Sequence, residues 1–125
     1  MNSYLLDTHA LLWWWADDPK LSDRARQIIA TEPVWVSTAA VWEMIIKKNL
    51  GKLKIPSGIE QQLRAEKFNI LDIKIPHVMK LEELKNYHSD PFDRIQIAQA
   101  KAEGFTFITR DQKIQKYKGI KIISA

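Results

Sequence analysis

Asp7, Glu43, Asp93 and Asp111 are side chains whose types and placement suit a common chemistry. Asp7 closes the apolar run SYLLD and Asp111 follows FTFITR, so both stand just past predicted strands. Glu43 interrupts AAVWEMII, a helical segment otherwise apolar all round, and such a helix is buried on most sides. Asp93 shares a helical face with Ile97 and Ala100, at i, i+4 and i+7. Four convergent carboxylates would repel one another, so a shared site makes sense mainly around a divalent cation. All-oxygen ligation selects a hard ion, Mg²⁺ or Mn²⁺, which activates water and stabilises a leaving oxygen. The chemistry that follows is phosphodiester hydrolysis.

Each acid also has a local explanation. Asp7 suits a helix cap, Glu43 an i,i+4 pair with Lys47, and Asp111 a turn shared with Thr109. In HSDPFDR, Asp90 before Pro91 is a strong helix start, and Asp93 at the third helical position complements the helix dipole. Four independent caps need no common location. An inward-facing Asp93, by contrast, must meet a donor, a cation or water.

The elements that must position these acids are short apolar runs alternating with helical patterns. Residues 3–6, 34–36, 70–73, 105–108 and 120–123 read as strands. Residues 9–16, 22–31, 39–49, 59–68, 76–87 and 91–103 read as helices, with Gly51 and Gly104 as stops and Pro56 as further punctuation. Such alternation implies right-handed crossovers and an α/β three-layer sandwich, a central, mostly parallel five-stranded sheet flanked by helices. Sites in such sheets form beyond the carboxyl ends of the strands, where the strand order reverses.

Residues 1–125 are expected to form a single domain that buries about two thirds of its unfolded surface. Cysteine is absent, which excludes disulfides and thiolate metal sites. The first residues lack the basic flank and apolar length of a signal peptide or membrane span, so a cytoplasmic protein is expected. The net charge of +4 permits a polyanionic partner. Lys47, Lys48, Lys52 and Lys54 form one acid-free basic segment; Arg110, Lys113, Lys116, Lys118 and Lys121 form another with Asp111 as its acid. Either is a solvated face or a nucleic-acid contact, with Lys47, Lys48, Arg94, Arg110 and Lys113 the candidates nearest the acids.

The stretches LLDTHALLWW, VSTAAVWEMIIKKNLGKL and DPFDRIQIAQAKAEGFTFITRD, in this order and spacing, resemble the PIN-domain ribonucleases, and within them the VapC toxins of bacterial type II toxin–antitoxin systems. The resemblance runs along nearly the whole chain. It implies a PIN-like fold and a metal-dependent endoribonuclease, with Asp7, Glu43 and Asp93 at Mg²⁺ or Mn²⁺ positions and Asp111 at a fourth, more variable acidic position. Thr109 matches a Ser/Thr position beside the site, and Thr8 is a further supporting candidate. On this reading Asp90 caps while Asp93 works on metal, with Asp90 close enough to contribute through water. His9 and His88 receive no catalytic role, and Arg94 is expected to pair with a carboxylate in preference to a phosphate.

Trp13, Trp14 and Trp15 span most of a helix circumference. Two in the core and one flat on the surface is the simple expectation; an exposed indole anchoring a partner is the alternative. The resemblance supplies two partners, a second copy of the chain and a VapB-like antitoxin whose C-terminal segment wraps the toxin. Single-stranded RNA, whose bases can splay outward, is the expected substrate. A non-catalytic PIN-like RNA-binding module is the main competing reading, though it has no need of the acids. A phosphoacceptor signalling domain ranks lower, because Asp7 is a single acid after the first strand and Asp72 lies within its run.

Overall fold

The computed structural model describes residues 2–55 and 57–125; Met1 and Pro56 lie outside the described residues, and with Pro56 the punctuation expected there. In chain order the elements are β1 (Tyr4–Leu6), α1 (Thr8–Trp15), α2 (Asp23–Thr31), β2 (Val34–Ser37), α3 (Thr38–Asn49), α4 (Ile59–Ala65), β3 (Asn69–Leu71), α5 (Ile75–Lys80), α6 (Pro91–Glu103), β4 (Thr106–Ile108) and β5 (Ile122–Ile123). Short 3-10 turns cover Leu81–Glu83 and Ile114–Lys116. The strands form one parallel sheet in the order β3-β2-β1-β4-β5. Every connection is therefore a crossover, and the order reverses between β1 and β4, the place where a crevice opens in this architecture.

Side-chain alternation along β1 and β4 divides the core between the two faces. Tyr4, Leu6 and Ile108 pack with Ala10 and Leu11 of α1, Ile28 and Ile29 of α2 and Leu63 of α4. Leu5 and Phe107 pack on the opposite face with Ile95, Ile97, Ala98 and Ala100 of α6. The middle strands are thus apolar on both sides, as a covered parallel sheet requires. Helix α3 serves both cores, giving Ala40 and Met44 to one and Ala39 to the other.

Strong local signals set the ends of several helices. Ser37 Oγ accepts the amide of Ala39 at 3.0 Å at the start of α3, and Gly104, at φ +72°, stops α6 in the left-handed conformation where a Cβ is disfavoured. The helices expected over 59–68 and 76–87 are both shorter. The first ends at Ala65 because Lys67 turns left-handed, at φ +64°. The second stops at Lys80, passes through the 3-10 turn and becomes extended at Leu84, which drops into the core. Beyond it the Lys85 carbonyl accepts from Tyr117 Oη at 2.7 Å and from Arg94 Nη1 at 3.1 Å. These tertiary partners replace the intrahelical bonds that a continued helix would have made.

Candidate metal centre

Asp7 stands at the carboxyl end of β1, where its amide extends the sheet ladder to the Ile108 carbonyl at 3.0 Å. Its side chain is buried, and Oδ2 accepts from Thr109 Oγ1 at 2.6 Å. The same Thr109 oxygen accepts the Asp111 amide at 3.1 Å, so one buried hydroxyl joins the two acids that follow neighbouring strands. Thr8 begins α1 and meets Nε2 of the buried Gln96 of α6 at 3.3 Å. This contact ties the helix of Asp93 to the start of the helix beside Asp7.

Glu43 is both buried and paired with Lys47. It is 4 % exposed, within a mostly apolar helix, and it also accepts from Lys47 Nζ at 2.8 Å through Oε2. Because that pair is buried at the glutamate end, it differs from a screened surface pair. The hydrogen bond to Glu43 raises the Lys47 pKa against the opposing effect of burial, with the charges of Glu43, Asp90 and Asp93 adding to the rise.

The two aspartates of HSDPFDR have separate work. Asp90 Oδ1 accepts the amides of Phe92 at 2.8 Å and Asp93 at 3.0 Å, closing the first turn of α6. Asp93 instead directs Oδ2 to within 3.0 Å of His88 Nε2. Asp90→Ala is therefore expected to cost about 1 kcal/mol of stability and Asp90→Asn only a fraction of that, because Asn caps as well as Asp. Urea unfolding of both variants checks it; equal losses would show that the cap is not what Asp90 contributes.

A cleft of about 190 Å³ is lined by Asp7, His9, Ala10, Trp13, Asp93, Arg110 and Asp111. Glu43 adjoins it closely enough for its charge to raise both Asp7 and Asp93. Burial, followed by the charges of Asp7 and Asp90, pushes the Asp93 carboxyl up to about 7, against the lowering effect of His88. Burial also raises Asp7, against the Thr109 hydrogen bond and the His9 charge. Asp111 moves the other way: partial burial opposes the shift, but the His88 hydrogen bond, the Lys113 amide and the Lys113 charge hold it below the ordinary carboxylate range.

Two carboxylate oxygens here, Asp7 Oδ1 and Glu43 Oε1, are buried and have no hydrogen-bond partner among the described residues. Buried anionic oxygens without a donor are costly, and a hard divalent cation is the partner their chemistry fits. Thr109 holds Asp7 by its other oxygen, and Lys47 does the same for Glu43, which leaves the two orphaned atoms free to ligate.

The basic and aromatic candidates divide. Lys48 and Lys113 are exposed, and the Lys113 amide donates to Asp111 Oδ1 at 2.8 Å. The ion pair expected of Arg94 is not found among the described residues: Nη1 donates to the carbonyls of Lys85 and His88, each at 3.1 Å, because the loop left by the shortened α5 needs those carbonyls satisfied. Arg110 donates to the carbonyls of Ala125 and Lys20 and lies 4.9 Å from the Trp13 ring centroid. All three tryptophans are half-buried against the core, so the structure shows neither two fully buried rings nor a fully exposed indole among them. Trp14 and Trp15 donate their indole N–H groups to the two oxygens of Glu66, at 2.8 and 2.7 Å, so the residue that ends α4 offers a polar receptor for two rings that otherwise pack against the core. Sequence reasoning missed Glu66, Gln96 and the place of His88. Only His88, two residues before a helix cap, left a signal.

The PIN domain family model matches residues 4–120, and the chain belongs to the PIN-domain family. It is similar to Ribonuclease VapC22 of Mycobacterium tuberculosis, with 26% identity over 122 residues and 94% of each chain covered. Among solved structures it is similar to VapBC2 from Rickettsia felis bound to a promoter DNA fragment, at 15% identity and a TM-score of 0.69 over 98% of each chain. A second is FitAcB from Neisseria gonorrhoeae, at 19% identity and a TM-score of 0.66 over 97% of this chain and 96% of that one. At these identities the structural likeness establishes a shared fold.

Proposed function

We propose that this protein is a VapC-type toxin, an endoribonuclease dependent on Mg²⁺ or Mn²⁺ and restrained by a VapB-like antitoxin. The observation that carries the reading is the gathering of Asp7, Asp93 and Asp111 around one cleft at the reversal of strand order, with Glu43 near enough for its charge to act on Asp7 and Asp93, and with one oxygen each of Asp7 and Glu43 buried and unpartnered among the described residues. Likeness to Ribonuclease VapC22 supports the same activity.

Asp7 and Glu43 would hold the ion through Oδ1 and Oε1, with Asp93 and Asp111 completing the donor set directly or through water. When bound, such an ion activates water and stabilises the oxygen that leaves phosphorus. The chain's own groups do the positioning. Thr109 and Lys47 fix the far oxygens of Asp7 and Glu43, and Asp90 fixes the first turn from which Asp93 projects. Lys48 and Lys113 meet backbone phosphates, while Arg94 and Arg110, whose donors are engaged by carbonyls, add charge to the same surface. This supplies affinity without base readout, so RNA choice rests on single-stranded shape.

The antitoxin and a second copy of the chain are the proposed protein partners, with Trp13, Trp14 and Trp15 the proposed partner contacts. Exposed Trp42 and Ile45 on α3, with Ile75, Val78 and Met79 on α5, provide further apolar surface for such contacts. Residues 1–125 work as one domain in the cytoplasm, where cellular RNA lies. Among the described residues no helix is long and apolar enough to cross a membrane.

Purified, antitoxin-free protein incubated with total cellular RNA tests the proposal. Discrete fragments are expected with Mn²⁺ or Mg²⁺, none with chelator, and none from folded Asp7→Asn. Absence of cleavage by folded, metal-loaded wild type would overturn it in favour of an RNA-binding module.

A further inference from the structure

His88 reaches the carboxylate cluster from the loop ahead of α6, and its ring has a determined polarity. The Asp90 backbone N–H, which can only donate, points at His88 Nδ1 from 3.1 Å. Nδ1 must therefore present its lone pair, and the neutral ring carries its proton on Nε2. That nitrogen lies 2.7 Å from Asp111 Oδ2 and 3.0 Å from Asp93 Oδ2. The backbone that carries the ring is held as well, since the His88 amide donates to Tyr117 Oη at 3.1 Å and its carbonyl accepts from Arg94 at 3.1 Å.

Spacing alone would suit a mixed nitrogen and oxygen metal site, for one donor atom each of His88, Asp93 and Asp111 falls within 4.8 Å of the others. Ligation by Nε2 requires a lone pair there. Moving the proton to Nδ1 would set two N–H groups against each other across 3.1 Å and leave the buried-side Asp90 amide without its acceptor.

We propose that His88 is a positioning residue and not a ligand: its Nε2–H donates to Asp111 and faces Asp93, orienting both carboxylates so that the cation meets oxygen atoms alone. This assignment rests on the reading of the cluster as a divalent-cation site. An ion ligated by imidazole favours Ni²⁺ and Zn²⁺, whereas a carboxylate and water set suits Mg²⁺ and Mn²⁺. Outer donors that orient ligands act on affinity for every ion alike, typically by about 10- to 100-fold.

Calorimetric titration of wild type, His88→Ala and His88→Gln with Mg²⁺ and with Ni²⁺ tests the assignment. His88→Ala is expected to weaken both ions by a similar factor, about 10- to 100-fold. His88→Gln, whose amide can donate from the place of Nε2, is expected to recover most of that loss for both. A loss of Ni²⁺ with Mg²⁺ spared would make His88 a ligand and overturn the assignment, as would unchanged affinities in His88→Ala. Long-range proton–nitrogen NMR on wild type gives a readout independent of variant folding. Nε2 is expected to stay pyrrole-like and Nδ1 pyridine-like when Mg²⁺ is added, and the reverse pattern would also overturn it. Wild type that binds neither ion would remove the cation-site reading itself, a result distinct from bound metal that ignores His88.

Discussion

Asp93→Asn is expected to remove metal-dependent RNA cleavage, by about 100-fold or more, while raising the thermal midpoint of the metal-free protein at about pH 8. The two effects share a cause. Burial and the charges of Asp7 and Asp90 penalise the ionised form of Asp93 and push its carboxyl from the ordinary value of 3.8 up to about 7 in the fold. Between these values the folded state holds a proton that the unfolded state has lost, so metal-free stability falls as pH rises. The contribution is fully present below about pH 4 and lost above about 7. Its upper limit is about 4 kcal/mol, before neighbouring groups relax. Asn keeps an acceptor for His88 and removes the charge, so a gain of roughly 5–10 °C is expected at pH 8 in chelator, shrinking toward pH 5. Adding Mg²⁺ or Mn²⁺ should raise the wild-type midpoint and leave that of the variant nearly still. Thermal scans at the two pH values decide it, and a variant less stable than wild type at pH 8 in chelator would sink the electrostatic account.

Stability and function therefore oppose each other within one small region. The sheet supplies a core on both faces, and α3 contributes to both cores while carrying Glu43 between them. That packing is what allows a buried acid with one orphaned oxygen to persist without unfolding its surroundings. A protein violates its local rules where a site requires it, and here the violations gather at the end of β1 and β4.

Which features were legible in the sequence follows from where their physical causes lie. Helix α6 runs over Pro91–Glu103 as read, because Asp90, Pro91 and Gly104 specify its ends through local backbone chemistry. Asp7 and Asp111 were legible as strand-end acids because short apolar runs marked the strands. The stretch HVMKLEELKNY reads as one helix, yet its second half is held by Tyr117 and Arg94, which lie far along the chain. No local pattern encodes those contacts. Trp14 and Trp15 are similar: aromatic size argues for full burial, but Glu66, more than 50 residues away, satisfies both indole N–H groups while the rings stay half-buried against the core. The loop fold that Arg94 secures also brings His88 to Asp111, so the shortened α5 and the unanticipated histidine have one cause.

Thr109→Val should be among the most damaging substitutions that leave the charge of the site unchanged. The hydroxyl is fully buried, donates to Asp7 and accepts the Asp111 amide. Valine keeps the volume and removes both bonds, leaving Asp7 with no side-chain donor among the described residues. A buried group deprived of its partner costs about 1–3 kcal/mol, and more when charged, so a loss of about 2–4 kcal/mol is expected in urea unfolding. Thr109→Ser keeps the hydroxyl and removes a methyl, for a cost of about 1 kcal/mol. The sharper test is the cycle with Asp7→Asn. If the threonine acts through the buried carboxylate, Thr109→Val should cost at least about 1 kcal/mol less once Asp7 is an amide, because contacting residues couple. Additive losses would mean that the hydroxyl stabilises the turn at Asp111 and does little for Asp7. Metal titration of Thr109→Val then follows the same logic: with Oδ2 unanchored, Asp7 can rotate, and the oxygen that the fold now leaves free for an ion is no longer held in place.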